Sequence, residues 1–158
     1  MTDSSFAPLD PVARCLIRRL TVPRVYFDAP WPAMPGDRVD VLAIDRDGVG
    51  DAHLVEVRRT AADALAQLPR LFKARAPFRW IAFWRGSETE EAAKALVSQE
   101  LLYPEGTPGR VGVIEIIEMA GGDLGANVRL AAERFPDAVF DVATEFSESH
   151  KAHIQFGG

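Results

Sequence analysis

Two short stretches between residues 38 and 59 alternate from one position to the next. Over residues 38–44, Val39, Val41 and Ala43 oppose Asp40, Leu42 and Ile44; over residues 53–59, Val55 and Val57 oppose Leu54, Glu56 and Arg58. A period of two predicts a strand in each case. The Asp- and Gly-rich run DRDGVGD, 45–51, predicts the turn that joins them. Upstream, Asp10 and Pro11 open a helix whose apolar face is Val12, Cys15, Leu16 and Leu20. A short strand follows over 22–28, then a proline-rich loop over 29–37. Downstream, Thr60 caps a helix with Leu65, Leu68 and Phe72 on its inner face, and Pro69 kinks or divides it. The apolar run 79–86 reads as a central strand. Ser87 with Glu90 forms a capping box for a helix over about 88–102. A loop over 104–109 leads to a strand over 110–119, and the GGDLGAN turn to a short helix over 124–134. Residues 135–146 read equally as strand or helix, and 147–158 as a polar tail.

Composition sets few limits. At 158 residues the chain is read as a single domain, 1–158, with a loose leader over 1–9, a core over 10–120, and a C-terminal extension and polar tail over 121–158. No apolar run reaches the length of a membrane span, and the first residues lack the pattern of a secretory signal, so a cytoplasmic protein is expected. The single cysteine, Cys15, excludes an internal disulfide and a Cys-based zinc site; it reads as a small buried hydrophobe. The net charge of −5 argues against tight non-specific nucleic-acid binding. Arginines and lysines nevertheless concentrate between residues 14 and 85, and many acids follow from Glu88, which leaves room for a local basic face. Oligomeric state cannot be read from these residues.

The chemistry lies in the hairpin. If it is symmetric about Gly48, Asp40 sits directly across from Glu56 and on the same face. Two like charges so placed repel unless a cation lies between them. One or two carboxylates are what Mg²⁺ asks of a protein, with Mn²⁺ as its substitute. Arg58, two residues beyond Glu56 on the same face, offers the other solution: a salt bridge to both acids that leaves no need for a cofactor. The triplet Asp45, Asp47, Asp51 has calcium-loop spacing without the closing Glu and reads as a turn. His150 and His153 fall in the polar tail. Trp80 and Trp84 belong to a core strand, Trp31 is a candidate for stacking on a base, and Glu115 and Glu118 read as the outward face of their strand.

The element order helix, three strands, helix, strand, helix, strand, with an acid in the second strand and Glu56-Val57-Arg58 in the third, resembles the restriction-endonuclease-like, or PD-(D/E)xK, nuclease superfamily. The later GRVGVIEI, 109–116, resembles another strand of that family. The resemblance implies an α/β (α+β) fold, a central mixed four- to five-stranded sheet flanked by helices. It implies Mg²⁺ held by Asp40, Glu56 and the Val57 carbonyl, with Gln67 as an accessory on the following helix. The family's motif lysine corresponds to Arg58, which stays protonated and so can hold a phosphate or steady transition-state charge but cannot accept a proton. Two functions are therefore expected as alternatives. One is a nuclease-like protein, hydrolysing DNA with Mg²⁺ or binding nucleic acid through a degenerate site. The other is a non-catalytic scaffold for a protein partner.

Overall fold

A computed structural model of the chain describes residues 9–20, 23–31, 38–45, 52–103 and 108–136. The elements are α1 (Leu9–Ile17), β1 (Pro23–Pro30), β2 (Arg38–Asp45), β3 (Ala52–Val57), α2 (Ala61–Leu65), α3 (Leu68–Phe72), β4 (Phe78–Trp84), α4 (Glu90–Ser98), β5 (Gly112–Glu118) and β6 (Leu124–Leu130), with a 3₁₀ turn over Glu100–Leu102. The six strands form one mixed sheet in sequence order. β1–β2, β2–β3 and β5–β6 are antiparallel; β3–β4 and β4–β5 are parallel. Parallel neighbours need a long crossover. Helices α2 and α3 carry the first crossover, and α4 carries the second. Both steps advance in the same direction across the sheet, so a right-handed crossover places all three helices on one face.

Both faces are consequently covered. On one, Leu42, Leu54, Ile81 and Phe83 pack under Ala61, Leu68, Leu71 and Leu96. On the other, Val41, Val55, Trp80 and Ala82 pack under Val12 and Leu16 of α1. This explains why β4 reads as an unbroken apolar run, since a central parallel strand is buried on both sides. Buried polar groups are satisfied. Trp80 donates its indole N–H to His53 Nδ1 at 3.0 Å, and Arg79, fully buried, donates to the carbonyls of Leu71, Phe72 and Ala76 at the end of α3.

Five expectations change. Residues 124–130 are strand β6 rather than a helix, so the sheet has six strands instead of four or five. Gly121 and Gly122 take positive φ and turn the chain tightly enough to lay it back along β5, and the apolar residues after them find partners there. Helix α4 is capped by Thr89, whose hydroxyl accepts from the Ala92 N–H, while Ser87 Oγ is engaged by the Ala61 N–H and the Trp84 carbonyl. The same helix ends at Ser98, where Gln99 takes the left-handed conformation, well short of 102. Trp31 is a core residue, fully buried with its indole N–H on the Ala74 carbonyl, and so cannot stack on a base. Glu115 is half-buried and paired with Arg129 at 3.0 Å, not an outward strand residue. Pro69 does divide the helix after Thr60, standing in the first turn of α3. No helix among the described residues is long and apolar enough to cross a membrane. The turn 46–51, the loop 104–107 and residues 137–158, with His150 and His153, lie outside the described residues.

Candidate functional site

The β2–β3 register runs Leu42↔Leu54 and Val41↔Val55, and one step further sets Asp40 across from Glu56, as the symmetric hairpin predicts. The ladder stops there because the carboxylates take over its backbone bonds. The Asp40 N–H donates to Glu56 Oε2 at 3.2 Å, and the Val57 N–H donates to Asp40 Oδ2 at 2.7 Å. Each acid thus satisfies a backbone donor on the opposite strand that would otherwise lose its partner. The far edge of β3 stays bound to β4, with Arg58 N–H on the Ala82 carbonyl at 2.9 Å. The acids lie at the carboxyl ends of the parallel strands, the usual place for a site in an open α/β sheet.

Two arginines complete the cluster. Arg58 Nη1 lies 2.7 Å from Asp40 Oδ2 and 2.8 Å from the Val57 carbonyl oxygen, while its Nη2 lies 3.2 Å from Glu56 Oε1. Arg70, on α3, places Nη1 2.6 Å from the same Glu56 oxygen and 3.3 Å from Gln67 Oε1, and its Nη2 on the Arg38 carbonyl. Gln67 thus joins the cluster through Arg70, and its amide nitrogen turns back to the Asp63 carbonyl. All five residues singled out from the sequence, Asp40, Glu56, Val57, Arg58 and Gln67, are therefore brought together. Arg70 was missed. Its signal is its position one turn beyond Gln67 on the same short helix, downstream of the proline that reorients that helix.

Burial divides these groups. The Glu56 side chain is 2 % exposed, whereas those of Arg58 and Arg70 are about one-third exposed at 30 % and 31 %. Burial pushes the Glu56 pKa above its ordinary 4.5, and the nearby Asp40 charge adds to this. Arg58, Arg70 and the Asp40 N–H pull it back, though not far enough to cancel the cost of desolvation. The charges of two carboxylates and two guanidiniums cancel.

The oxygens of Asp40, Glu56 and Val57 are the hard donors a Mg²⁺ ion would use, at about 2.0–2.1 Å. As placed, they do not fit one. Arg58 Nη1 sits within hydrogen-bond distance of two of these oxygens and Nη2 of the third, so an ion bound to the set would collide with the guanidinium. Among the described residues, no group of three or more His, Cys, Asp or Glu side chains is arranged to hold a metal.

No protein-family model matches the chain, and no curated protein matches it. Among solved structures it is similar in fold to a protein of unknown function from Silicibacter pomeroyi, at 18 % identity and a TM-score of 0.50, over 81 % of this chain and 70 % of that one. That likeness concerns the fold alone. The chain is an α/β protein with a six-stranded mixed sheet flanked by helices.

Proposed function

We propose that this chain is a nuclease-like domain that acts by binding rather than by hydrolysis, a scaffold on which the nuclease site has become an internal ion cluster. The order of its first six elements, and the acids at the ends of β2 and β3, support the restriction-endonuclease-like reading. One observation carries the loss of hydrolysis: the Arg58 guanidinium engages all three oxygens that the nuclease reading assigns to Mg²⁺. A permanently protonated group there cannot accept a proton from water, and it occupies the space a metal ion bound to those oxygens would need. The test is nicking of plasmid and single-stranded DNA by the purified protein with Mg²⁺ or Mn²⁺. The proposal expects no cleavage above the blank. Cleavage that needs the ion and disappears in Asp40→Ala overturns it.

A second reading concerns the partner. Between Arg58 and Arg75 the chain carries Arg58, Arg59, Arg70, Lys73 and Arg75 against one acid, Asp63, and Arg59, Lys73 and Arg75 are exposed. Such a run favours a nucleic-acid backbone over an acidic protein surface. Anisotropy of labelled single- and double-stranded oligonucleotides at low salt checks this. Binding that weakens with added salt and with Lys73→Glu/Arg75→Glu is expected; no binding at low salt directs attention to a protein partner.

A further inference from the structure

We infer that this chain pairs with a second copy of itself through the outer edge of β6, strand against strand and antiparallel about a two-fold axis at Ala126, so that one sheet runs through both copies. The inference goes beyond the ion cluster and is independent of what that cluster does.

The first ground is an open edge. β6 is the last strand of the sheet, with β5 on one side and no strand on the other among the described residues. The Met119 N–H on the Asp123 carbonyl at 2.7 Å fixes which way its backbone faces. Residues 123, 125 and 127 turn their N–H and C=O groups to β5, so Leu124, Ala126 and Val128 turn theirs outward. No described residue bonds to those outward groups. The side chains of the same three residues are already settled against the core under α1, which leaves the backbone as the unused part of the strand. A bare edge is usually blunted by proline, lysine or a bulge. LGANVRL, 124–130, holds no proline and no lysine, and the bulge in its pairing lies at the far end, between Val113 and Ile114 of β5.

The second ground is that the edge matches itself. An axis at Ala126 sets Leu124 against Val128, Ala126 against Ala126 and Val128 against Leu124, each a hydrogen-bonded pair made from outward groups. On the face away from α1 the same register sets Gly125 against Asn127 and Asp123 against Arg129. Asp123 is exposed. The Arg129 side chain is 30 % exposed and, among the described residues, uses only Nη1, on Glu115 and Glu88, so its other two guanidinium nitrogens are open to a further carboxylate. Opposite charges directly across an antiparallel pair attract, and the axis makes the pair twice. Moving the axis by one residue sets Arg129 against Gly125 or Gly121 and loses the match. Met119 supplies apolar surface beside the axis. It lies over Gly125, where a Cβ would come 3.4 Å from its sulfur, and is 51 % exposed. Any extended peptide can add to a bare edge; the match of Asp123 to Arg129 singles out this chain's own β6.

The measurement is sedimentation velocity of wild type, Asp123→Arg and Val128→Pro over a wide range of concentration, with amide exchange followed by NMR at the low and high ends. Wild type is expected to pass from monomer to dimer as concentration rises, since a single strand edge makes a small, reversible interface. The Leu124, Ala126 and Val128 amides are expected to exchange roughly tenfold more slowly at the high end, with no such change at other surface amides. Asp123→Arg opposes like charges at both ends of the pairing and is expected to raise the dimer Kd roughly tenfold. Val128→Pro deletes an outward N–H without removing a bond to β5 and is expected to abolish the dimer. A wild type that stays monomeric overturns the inference, whether its three amides exchange freely or are slow at every concentration. A dimer that neither substitution weakens also overturns it, because the copies then meet elsewhere. Should Val128→Pro fail to fold, Asp123→Arg, at an exposed position, is read alone.

Discussion

With its side chain almost wholly buried, Glu56 carries its charge into the protein, where desolvation outweighs the two guanidiniums that hold it. A carboxylate whose pKa is higher in the folded chain than in the unfolded one binds more protons when folded. The contribution of Glu56 to stability is then fully present at low pH and is lost as pH rises from the ordinary carboxylate value through the raised one. Urea midpoints of wild type and Glu56→Gln across this range should show wild type losing ground to the variant as pH rises, then a constant difference. Wild type gaining on the variant instead would mean that the arginines outweigh burial. Because Arg58 and Arg70 share one oxygen of Glu56, their removals should not add. A double-mutant cycle with Arg58→Ala and Arg70→Ala should give a coupling of about 0.5–3 kcal/mol in urea denaturation, and a coupling near zero would mean that the two act separately. At this scale much of the site could be read in advance. The opposition of Asp40 and Glu56 was expected from a hairpin symmetric about Gly48 and agrees with the register of the strands, and a salt bridge from Arg58 follows from its place two residues on. Arg70 could not be placed so, since its approach depends on how α3 leaves the Pro69 break.

Helices α2 and α3 are a turn or so each, too short to be stable by themselves, and hold their place through what they touch. Beside the buried Leu68 and Leu71, Arg79 fixes the end of α3, because its buried guanidinium serves three carbonyls at and beyond the helix end and lies 3.8 Å from the Phe135 ring centroid. Arg79→Met should cost about 2–4 kcal/mol in chemical denaturation, from orphaned carbonyls that an apolar side chain cannot serve. Arg79→Lys should recover little of this, since one ammonium lacks the planar fork; full recovery would show that charge alone matters. Gly112 on β5 supports the neighbouring strand in a different way. A Cβ there would fall 2.4 Å from the Trp80 ring and 2.7 Å from the Ala132 nitrogen, so Gly112→Ala should destabilise by about 1–3 kcal/mol. Two elements depart from their sequence expectation. Residues 124–130 alternate Leu124, Ala126, Val128 and Leu130 with Gly125, Asn127 and Arg129, a strand period at odds with the helix reading, and β5 supplies the partner that makes it a strand. Thr89 wins the cap from Ser87 because Ser87 is held by α2 and β4.

Across the whole molecule, the meander β1–β2–β3 and the two parallel steps to β4 and β5 bring the carboxyl ends of β3, β4 and β5 to the same side of the sheet. The order of elements was legible because each strand is marked by turn residues and each crossover by a capped helix. The size of the sheet was not, because residues 124–130, read as a helix, carry the alternation of a strand and add β6 beside β5. A second ion cluster stands near the same end, where Arg129 pairs with Glu115 at 3.0 Å and Glu88 at 3.3 Å. The arrangement repeats that of the main site, an arginine set between two acids. The account therefore turns on whether the Arg58 guanidinium holds its three oxygens against a divalent ion. A crystal of the wild-type protein soaked in Mn²⁺ and measured at the manganese absorption edge tests this most directly. No anomalous peak between Asp40 and Glu56, with Arg58 bound to both, is the predicted result. A peak there, with Arg58 turned out to solvent, would contradict it.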